Sequence, residues 1–417
     1  MALIDEKDLD RRHFLKCMAW VGTGAVWAMS SGVLRGSALG QMAHRSMRSM
    51  DANALRFVQI SDSHIGFNKP ANTDVTATLR AAIAKIKAEP DPPAFVLHTG
   101  DLTHLSRAEE FDTLQQVLKE LSIPVFYVPG EHDVLEDEGR SYLERFGKGT
   151  QGAGWHSFDH SGVHFIGLVN VVNLKAGGLG TLGREQLEWL ERDVKRLKSS
   201  TPIVVFAHIP LWSVYPEWGW GTEDSAQALS YLKRFGSVSV LNGHIHQVMQ
   251  KVEGNVTFHT AMSTAFPQPA PGMAPSPGPM KVSDDRLRKL LGLSEMALHP
   301  VHHPIAITDV PLESATLDGA GDAAPPMTAA AAVAGGANEV VVDNFTFSPA
   351  RKTVPVGTTV TWTNKDDSPH TIVSTDKKFK SRVLDTDGQF SFRFNAPGTY
   401  NYFCSIHPHM TGQVVVG

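Results

Sequence analysis

Phe57-Val58-Gln59-Ile60-Ser61-Asp62-Ser63-His64 decides the architecture of most of the chain: an apolar run of β-forming residues stops at a serine, and acidic and imidazole side chains follow two positions apart. The same grammar recurs four times. Phe95-Val96-Leu97-His98 is followed by Thr99-Gly100-Asp101, and Val125-Phe126-Tyr127-Val128 by Pro129-Gly130-Glu131-His132-Asp133. Val204-Val205-Phe206-Ala207 leads into His208-Ile209-Pro210, and Val238-Ser239-Val240-Leu241 into Asn242-Gly243-His244-Ile245-His246. Helical-period segments at 73–89, 107–121 and 183–197 lie between these runs. Continuous apolar runs alternating with amphipathic helices predict an α/β domain whose sheet is buried on both faces. Ligands collect at the C-terminal ends of strands in such sheets, so five runs deliver polar side chains to one rim.

The residue types fit a metal centre. On an extended segment, Asp62 and His64 point the same way and grip one ion; His244 and His246 share that spacing, unless a turn splits them between neighbouring ions. Imidazole and carboxylate suit Fe, Mn or Zn better than Ca or Mg. Glycines 100, 130 and 243 let the backbone turn sharply beside the metals.

The five blocks, in this order, resemble the calcineurin-like metallophosphoesterases over about residues 55–310. The resemblance implies an α/β/β/α sandwich and two metal ions. One ion would take Asp62, His64, Asp101 and His246; the other Asp101, Glu131, His208 and His244, with Asp101 bridging. His132, oriented by Asp133, would touch the phosphate or protonate the leaving oxygen. The implied reaction is hydrolysis of a phosphomonoester or phosphodiester by a hydroxide bridging two cations, and the Gly243–Gln247 block is closest to the cyclic-nucleotide phosphodiesterase branch. Glu131 departs from the family, which carries Asn there. Its extra negative charge reduces Lewis acidity and repels an anionic substrate.

Other residues carry plainer readings. His98, His156, His160, His164 and His259 read as hydrogen-bonded core, and His299, His302 and His303 as an exposed turn. His104 stands where purple acid phosphatases carry a ligating Tyr. Trp212, Trp218 and Trp220 read either as loop packing or as a wall beside the substrate. The Pro/Gly/Met-rich stretch 266–280 reads as a loop.

Past residue 311 the composition changes. Residues 313–337 are dominated by Ala, Gly, Pro and Asp and read as a pliable linker. Residues 338–417 are rich in Val, Thr, Phe and Tyr, which predicts a small all-β sandwich. Within it stand His370 and, 34 residues on, Cys404-Ser405-Ile406-His407-Pro408-His409-Met410. One thiolate, two imidazoles and one thioether form the donor set of a trigonal copper site with a long axial Met. The segment resembles the cupredoxins, with the short ligand loop of amicyanin or pseudoazurin. That implies a Greek-key fold and a type 1 copper ion held by His370, Cys404, His407 and Met410. His409 reads as spare and solvent-exposed.

A length of 417 residues predicts two or three domains. Two cysteines, Cys17 and Cys404, exclude a disulfide scaffold, and a net charge of −5 gives no reason to expect nucleic acid. Arg11-Arg12-His13-Phe14-Leu15-Lys16 and the uncharged stretch 17–34 resemble a twin-arginine export signal, residues 1–40, with Asp10 where Ser or Thr is usual. Cleavage would leave no membrane span and one cysteine in a periplasmic protein. The whole reads as an exported phosphoesterase (residues 52–312) joined to a type 1 copper domain that meets a redox partner. The alternative is a copper electron-transfer protein whose first domain serves binding or regulation. The long linker favours simple tethering of the two over redox control of one by the other.

Overall fold

A computed structural model describes residues 27–30, 33–36, 54–172, 174–298, 305–313 and 336–417. The Arg11–Lys16 motif, His299, His302, His303 and nearly all of the linker lie outside the described residues.

The N-terminal domain is built from two sheets packed face to face, with helices on both outer surfaces. Strands β1 (Leu55–Ile60), β2 (Val96–His98) and β3 (Val125–Tyr127) run parallel. β10 (Gly292–Leu298) pairs antiparallel with β1 and β11 (Ile305–Pro311) with β10, giving the order β11-β10-β1-β2-β3. The second sheet, of six strands, contains β4 (His156–His160), β5 (Val163–Gly167), β6 (Ile203–Ala207), β7 (Val238–Asn242), β8 (Gln250–Glu253) and β9 (Val256–Thr260), in the order β8-β9-β7-β6-β5-β4.

Helices α1 (Val75–Ala88) and α2 (Ala108–Leu118) cover the first sheet through Leu79, Ile83, Phe111 and Leu114. α1 starts where Asp74 accepts the Ala77 N–H, an ordinary N-cap. Helix α4 (Arg184–Val194) and helix α5 (Ser225–Leu232), which follow the short α3 (Arg140–Phe146), cover the second sheet through Leu187, Leu190, Ala228 and Leu232. Between the sheets lies an aromatic layer. Phe57 stacks on Phe95 at 5.2 Å and meets Phe165 edge-on at 5.3 Å, in the geometry aromatic quadrupoles prefer.

The C-terminal domain is a two-sheet β sandwich. One sheet has the order β13 (Thr346–Ser348), β12 (Glu339–Asp343), β15 (Thr359–Asn364), β17 (Gln389–Arg393). The other has β14 (Arg351–Val354), β19 (Thr411–Val416), β18 (Gly398–Phe403), β16 (Val373–Ser374). Trp362, wholly buried, meets Tyr402 edge-on at 5.3 Å across the core. This is the α/β/β/α sandwich plus small all-β sandwich expected from the sequence.

The two domains are packed together. The Gly177 N–H donates to the Pro408 carbonyl at 2.6 Å, Lys69 Nζ lies 3.4 Å from Asp385 Oδ1, and Leu135 packs onto the C-terminal core.

Candidate metal centres

The side chains singled out in the five blocks converge at the C-terminal ends of β1, β2, β3, β6 and β7. Asp62, His64, Asp101, Glu131, His132, Asp133, His208 and His246 are all nearly inaccessible to solvent. Asp101 Oδ2 lies 3.5 Å from His64 Nε2 and 3.3 Å from His208 Nε2. On one side of it, His64 Nε2 and His246 Nε2 are 3.3 Å apart, and His246 Nε2 is 3.3 Å from Asp62 Oδ1. On the other, Glu131 Oε2 stands 3.0 Å from His208 Nε2 and Glu131 Oε1 2.8 Å from His244 Nδ1. The atoms fall into two groups of four with Asp101 common to both.

The ring orientations are set by backbone carbonyls. His208 Nδ1 donates to the Thr99 carbonyl at 2.7 Å, and His246 Nδ1 to the Phe266 carbonyl at 2.6 Å. Each ring is thereby turned so that Nε2 points into the centre. Nε2 of His208 faces the carboxylate oxygens of Asp101 and Glu131; burial opposes charge on that ring, but the two carboxylates hold its pKa well above the ordinary imidazole value. Asp62 Oδ2, Glu131 Oε2 and His208 Nε2 are buried without a hydrogen-bond partner, and a cation between such atoms removes the cost of burying them. The residues therefore fit two metal ions.

Charge follows the same geometry. Burial works to raise the Asp62 pKa, but His246 and His208 outweigh it and bring the carboxyl down to about 2. Burial likewise opposes ionisation of Glu131, and His244 and His208 hold it well below the usual carboxylate range. Burial, with His132 and His246 nearby, holds the His64 pKa far below an ordinary imidazole.

Two expectations are corrected. Asp62 and His64 do not align on an extended segment: their φ values are +53° and +41°, and Asp101, His244 and His246 share the left-handed region at +51°, +71° and +53°. Left-handed backbone costs a non-glycine residue about 1 kcal/mol or more. It persists because the strand ends are tied, with the Asp62 N–H on the Gly100 carbonyl and the His244 N–H on Asp62 Oδ1. Second, the His132 ring is oriented by the His104 carbonyl, 2.8 Å from its Nδ1, rather than by Asp133. The Asp133 carboxylate instead accepts the backbone N–H groups of Leu102, Thr103 and Gly130, pinning two strand-end loops together.

The remaining histidines sort by contact. His98 Nε2 is 2.8 Å from Ser63 Oγ, His164 bridges Asp159 and Asp193, and His259 pairs with Asp309, so these three are hydrogen-bonded core. His160 is exposed. His104 stacks on His132 at 5.3 Å, and neither of its buried ring nitrogens has a hydrogen-bond partner. Trp212 packs on Phe258, whereas Trp218 and Trp220 line the chamber in front of the metal ligands. So do Phe266 and Gln268 of the 266–280 loop, a contribution that loop composition does not disclose.

In the C-terminal domain, Cys404 Sγ lies 3.7 Å from His370 Nδ1 and 3.8 Å from His407 Nδ1, and the two nitrogens are 3.2 Å apart. Met410 is buried and closes the loop: the Cys404 N–H donates to its carbonyl, and its own N–H to the His407 carbonyl. Sequence reasoning missed Asp366, whose Oδ2 is 2.8 Å from His370 Nε2. That contact holds the ring proton on Nε2 and leaves Nδ1 for a metal. Burial opposes charge on His370, but hydrogen bonds to Asp366 and Cys404 push its pKa up to about 9. Burial would raise the Cys404 pKa; His370 and the Thr371 N–H, 3.4 Å from Sγ, lower it. A buried thiolate with two imidazoles fits one soft metal ion. His409 is not the exposed residue expected: it is half-buried beside Gly219 of the other domain, and burial, His370 and His244 bring its pKa down to about 4.

Residues 325–416 match the family described as cupredoxin-like domain, and residues 55–248 the family described as calcineurin-like phosphoesterase. The chain thus carries a calcineurin-like phosphoesterase domain followed by a cupredoxin domain. Amicyanin of Paracoccus denitrificans is 37% identical over 93 residues, 21% of this chain and 71% of that protein. A probable glycerophosphodiester phosphodiesterase of Arcobacter nitrofigilis is 26% identical over 218 residues, covering 49% of this chain and 77% of the relative. A 3',5'-cyclic-nucleotide phosphodiesterase of Nostoc sp. is 27% identical over 218 residues, covering 51% and 79%. The families imply divalent metals for the first domain and copper for the second. Among the described residues, no helix is long and apolar enough to cross a membrane.

Proposed function

We propose that the phosphoesterase domain hydrolyses a phosphodiester or phosphomonoester at a dinuclear centre of Fe, Mn or Zn, and that the cupredoxin domain is a type 1 copper electron carrier. The observation that carries the first part is Asp101, whose Oδ2 lies within 3.5 Å of nitrogens from both ligand groups. Asp62, His64 and His246 would hold one ion, Glu131, His208 and His244 the other. Bound ions would supply Lewis acidity toward the phosphoryl oxygens and the attacking water.

The chain's own residues do the rest. His132, with its Nδ1 engaged by the His104 carbonyl, has Nε2 to carry a proton to the leaving oxygen. The Asp133 bonds to the loop N–H groups keep His132 and Asp101 in register, and the His132 N–H on Asp101 Oδ1 at 3.0 Å is part of that tie. The relatives named as phosphodiesterases favour a diester. In the cupredoxin domain, His370, Cys404, His407 and Met410 would bind copper, with Asp366 orienting His370. The Arg11-Arg12 motif supports export to the periplasm.

The test is metal analysis of the exported protein combined with turnover of a phosphodiester and phosphomonoester panel. Two ions in the first domain with ester turnover support the assignment. Intense absorption near 600 nm with no turnover under any metal would favour the purely electron-transferring alternative.

A further inference from the structure

The copper-ligand loop does not face solvent. His407 sits with its ring centre 6.4 Å from that of His132, and Phe345 stands over both copper-site imidazoles, 5.1 Å from His370 and 4.7 Å from His407. Phe345, Ser368 and His407 line the same chamber as Glu131, His132 and His244. That chamber holds about 30 Å³, room for about two waters. An organic group of aryl or nucleoside size reaches the metals only by using the open side of the chamber or displacing part of its wall, so an ester with two such groups is held back more than an ester with one.

We infer that the cupredoxin domain is the outer wall of the hydrolase chamber, with Phe345 as a specificity-determining residue that limits the organic group able to reach the metals. This rests on the hydrolase proposal. Two kinds of contact hold the wall. Loop backbone and apolar contacts form one side: Gly177 with Pro408, Gly219 with His409, and Leu135 in the cupredoxin core. On the other, Lys69 is bonded to Asp385 and also feels Asp367 and Asp387. A small ester fits behind the docked domain with little adjustment. A bulky one displaces it, and the lost docking is subtracted from its binding.

The test uses the full-length, metal-loaded protein and two diesters with the same leaving group, methyl p-nitrophenyl phosphate and bis(p-nitrophenyl) phosphate. Wild type is expected to prefer the methyl ester in kcat/KM. Phe345→Leu, which trims the wall, lowers that preference about tenfold. Lys69→Glu, which sets a carboxylate against three acids, lowers it about threefold, and adding Asp385→Lys restores it. A third readout is independent of turnover: inorganic phosphate titrated into wild type shifts the copper–thiolate absorption band, because His407 lines the chamber. In Lys69→Glu the shift shrinks. A preference unchanged within twofold in both variants, or a copper band indifferent to phosphate in a protein that turns over both esters, overturns the inference. Absence of turnover in every variant refutes the hydrolase proposal instead, and the phosphate response of the copper band then decides whether the wall stands.

Discussion

Replacing Asp366 by Asn tests how the cupredoxin domain prepares its metal site. Asp366 Oδ1 accepts the Asn344 N–H at 2.7 Å, while Oδ2 accepts the Phe345 N–H at 2.9 Å and the His370 Nε2–H at 2.8 Å. An amide of the same shape keeps one acceptor oxygen and turns two N–H donors toward groups that also donate. At least one charge-assisted bond is lost, worth about 1.5–3 kcal/mol. The loss most relevant to copper is the one to His370, because the proton on Nε2 is what leaves Nδ1 free opposite Cys404. Removing such an orienting partner typically costs about 10–100-fold in metal affinity, or about 1.4–2.8 kcal/mol, so the two routes agree. The assay is a competition titration with a copper chelator, read at the thiolate band, alongside urea unfolding of the copper-free protein to separate site from fold. The expected result is copper affinity weakened at least tenfold with the band's intensity reduced. Affinity within twofold of wild type, in a folded protein, would refute the role assigned to Asp366.

Gly130→Ala is expected to strip the dinuclear centre, because a Cβ there collides with Asp101 Oδ1 and the Asp101 backbone nitrogen although its φ of −95° suits alanine. About 1–3 kcal/mol of lost stability in urea and a metal content below one ion per first domain would support this; full metal content would contradict it. Glu131→Asn removes one negative charge from beside His208 and His244. Even with full water screening a unit charge at 4 Å is worth about 1 kcal/mol, so kcat/KM for a dianionic monoester should rise about fivefold relative to a monoanionic diester. Identical metal content and selectivity in the variant would remove Glu131 from the ligand set. His164 offers a pH test away from both centres. Burial opposes its charge, but hydrogen bonds to Asp193 and Asp159 raise its pKa. The stabilisation is therefore full below the ordinary imidazole pKa and lost as pH rises through the raised folded value. Because Asp159 is largely exposed, His164→Gln should cost only about 1 kcal/mol at pH 5.5 and less at pH 8.5, and a cost that grows with pH would reverse the assignment.

Strand ends were the most legible part of the molecule, for a physical reason. A strand covered on both faces, such as Ile203–Ala207, must be apolar along its length, so the first charged or imidazole residue marks where it leaves the core. That is why Asp62, Asp101, Glu131, His208 and His244 could be found from composition and order. What escaped had no side-chain signal. The edge strand Gln250–Glu253 is exposed at every residue, Arg351–Val354 opens on two adjacent charged residues, and Val373–Ser374 is two residues long. The acceptors that aim His208, His132 and His246 are backbone carbonyls of Thr99, His104 and Phe266, and any residue type supplies a carbonyl. Asp366 carried a signal, four residues before His370, but many exposed turns contain Asp at such a spacing.

The contacts between the domains could not be read from the linker, for a related reason. A linker dominated by Ala, Gly and Pro says how far apart two domains can drift, and nothing about whether they attract. Attraction is encoded in a few positions that look ordinary in sequence. Leu135 stands in a polar turn, Phe345 is one of 20 Phe residues, and Lys69 is one cation among 38 Lys and Arg residues. Only the fold reveals that Leu135 reaches the cupredoxin core, that Phe345 lines the chamber while packing on both copper-site imidazoles, and that Lys69 faces three carboxylates. Each contact is small, about 1 kcal/mol or less for the exposed ion pair. Docking within one chain needs little more, because the tether replaces most of the translational entropy that separate partners would lose.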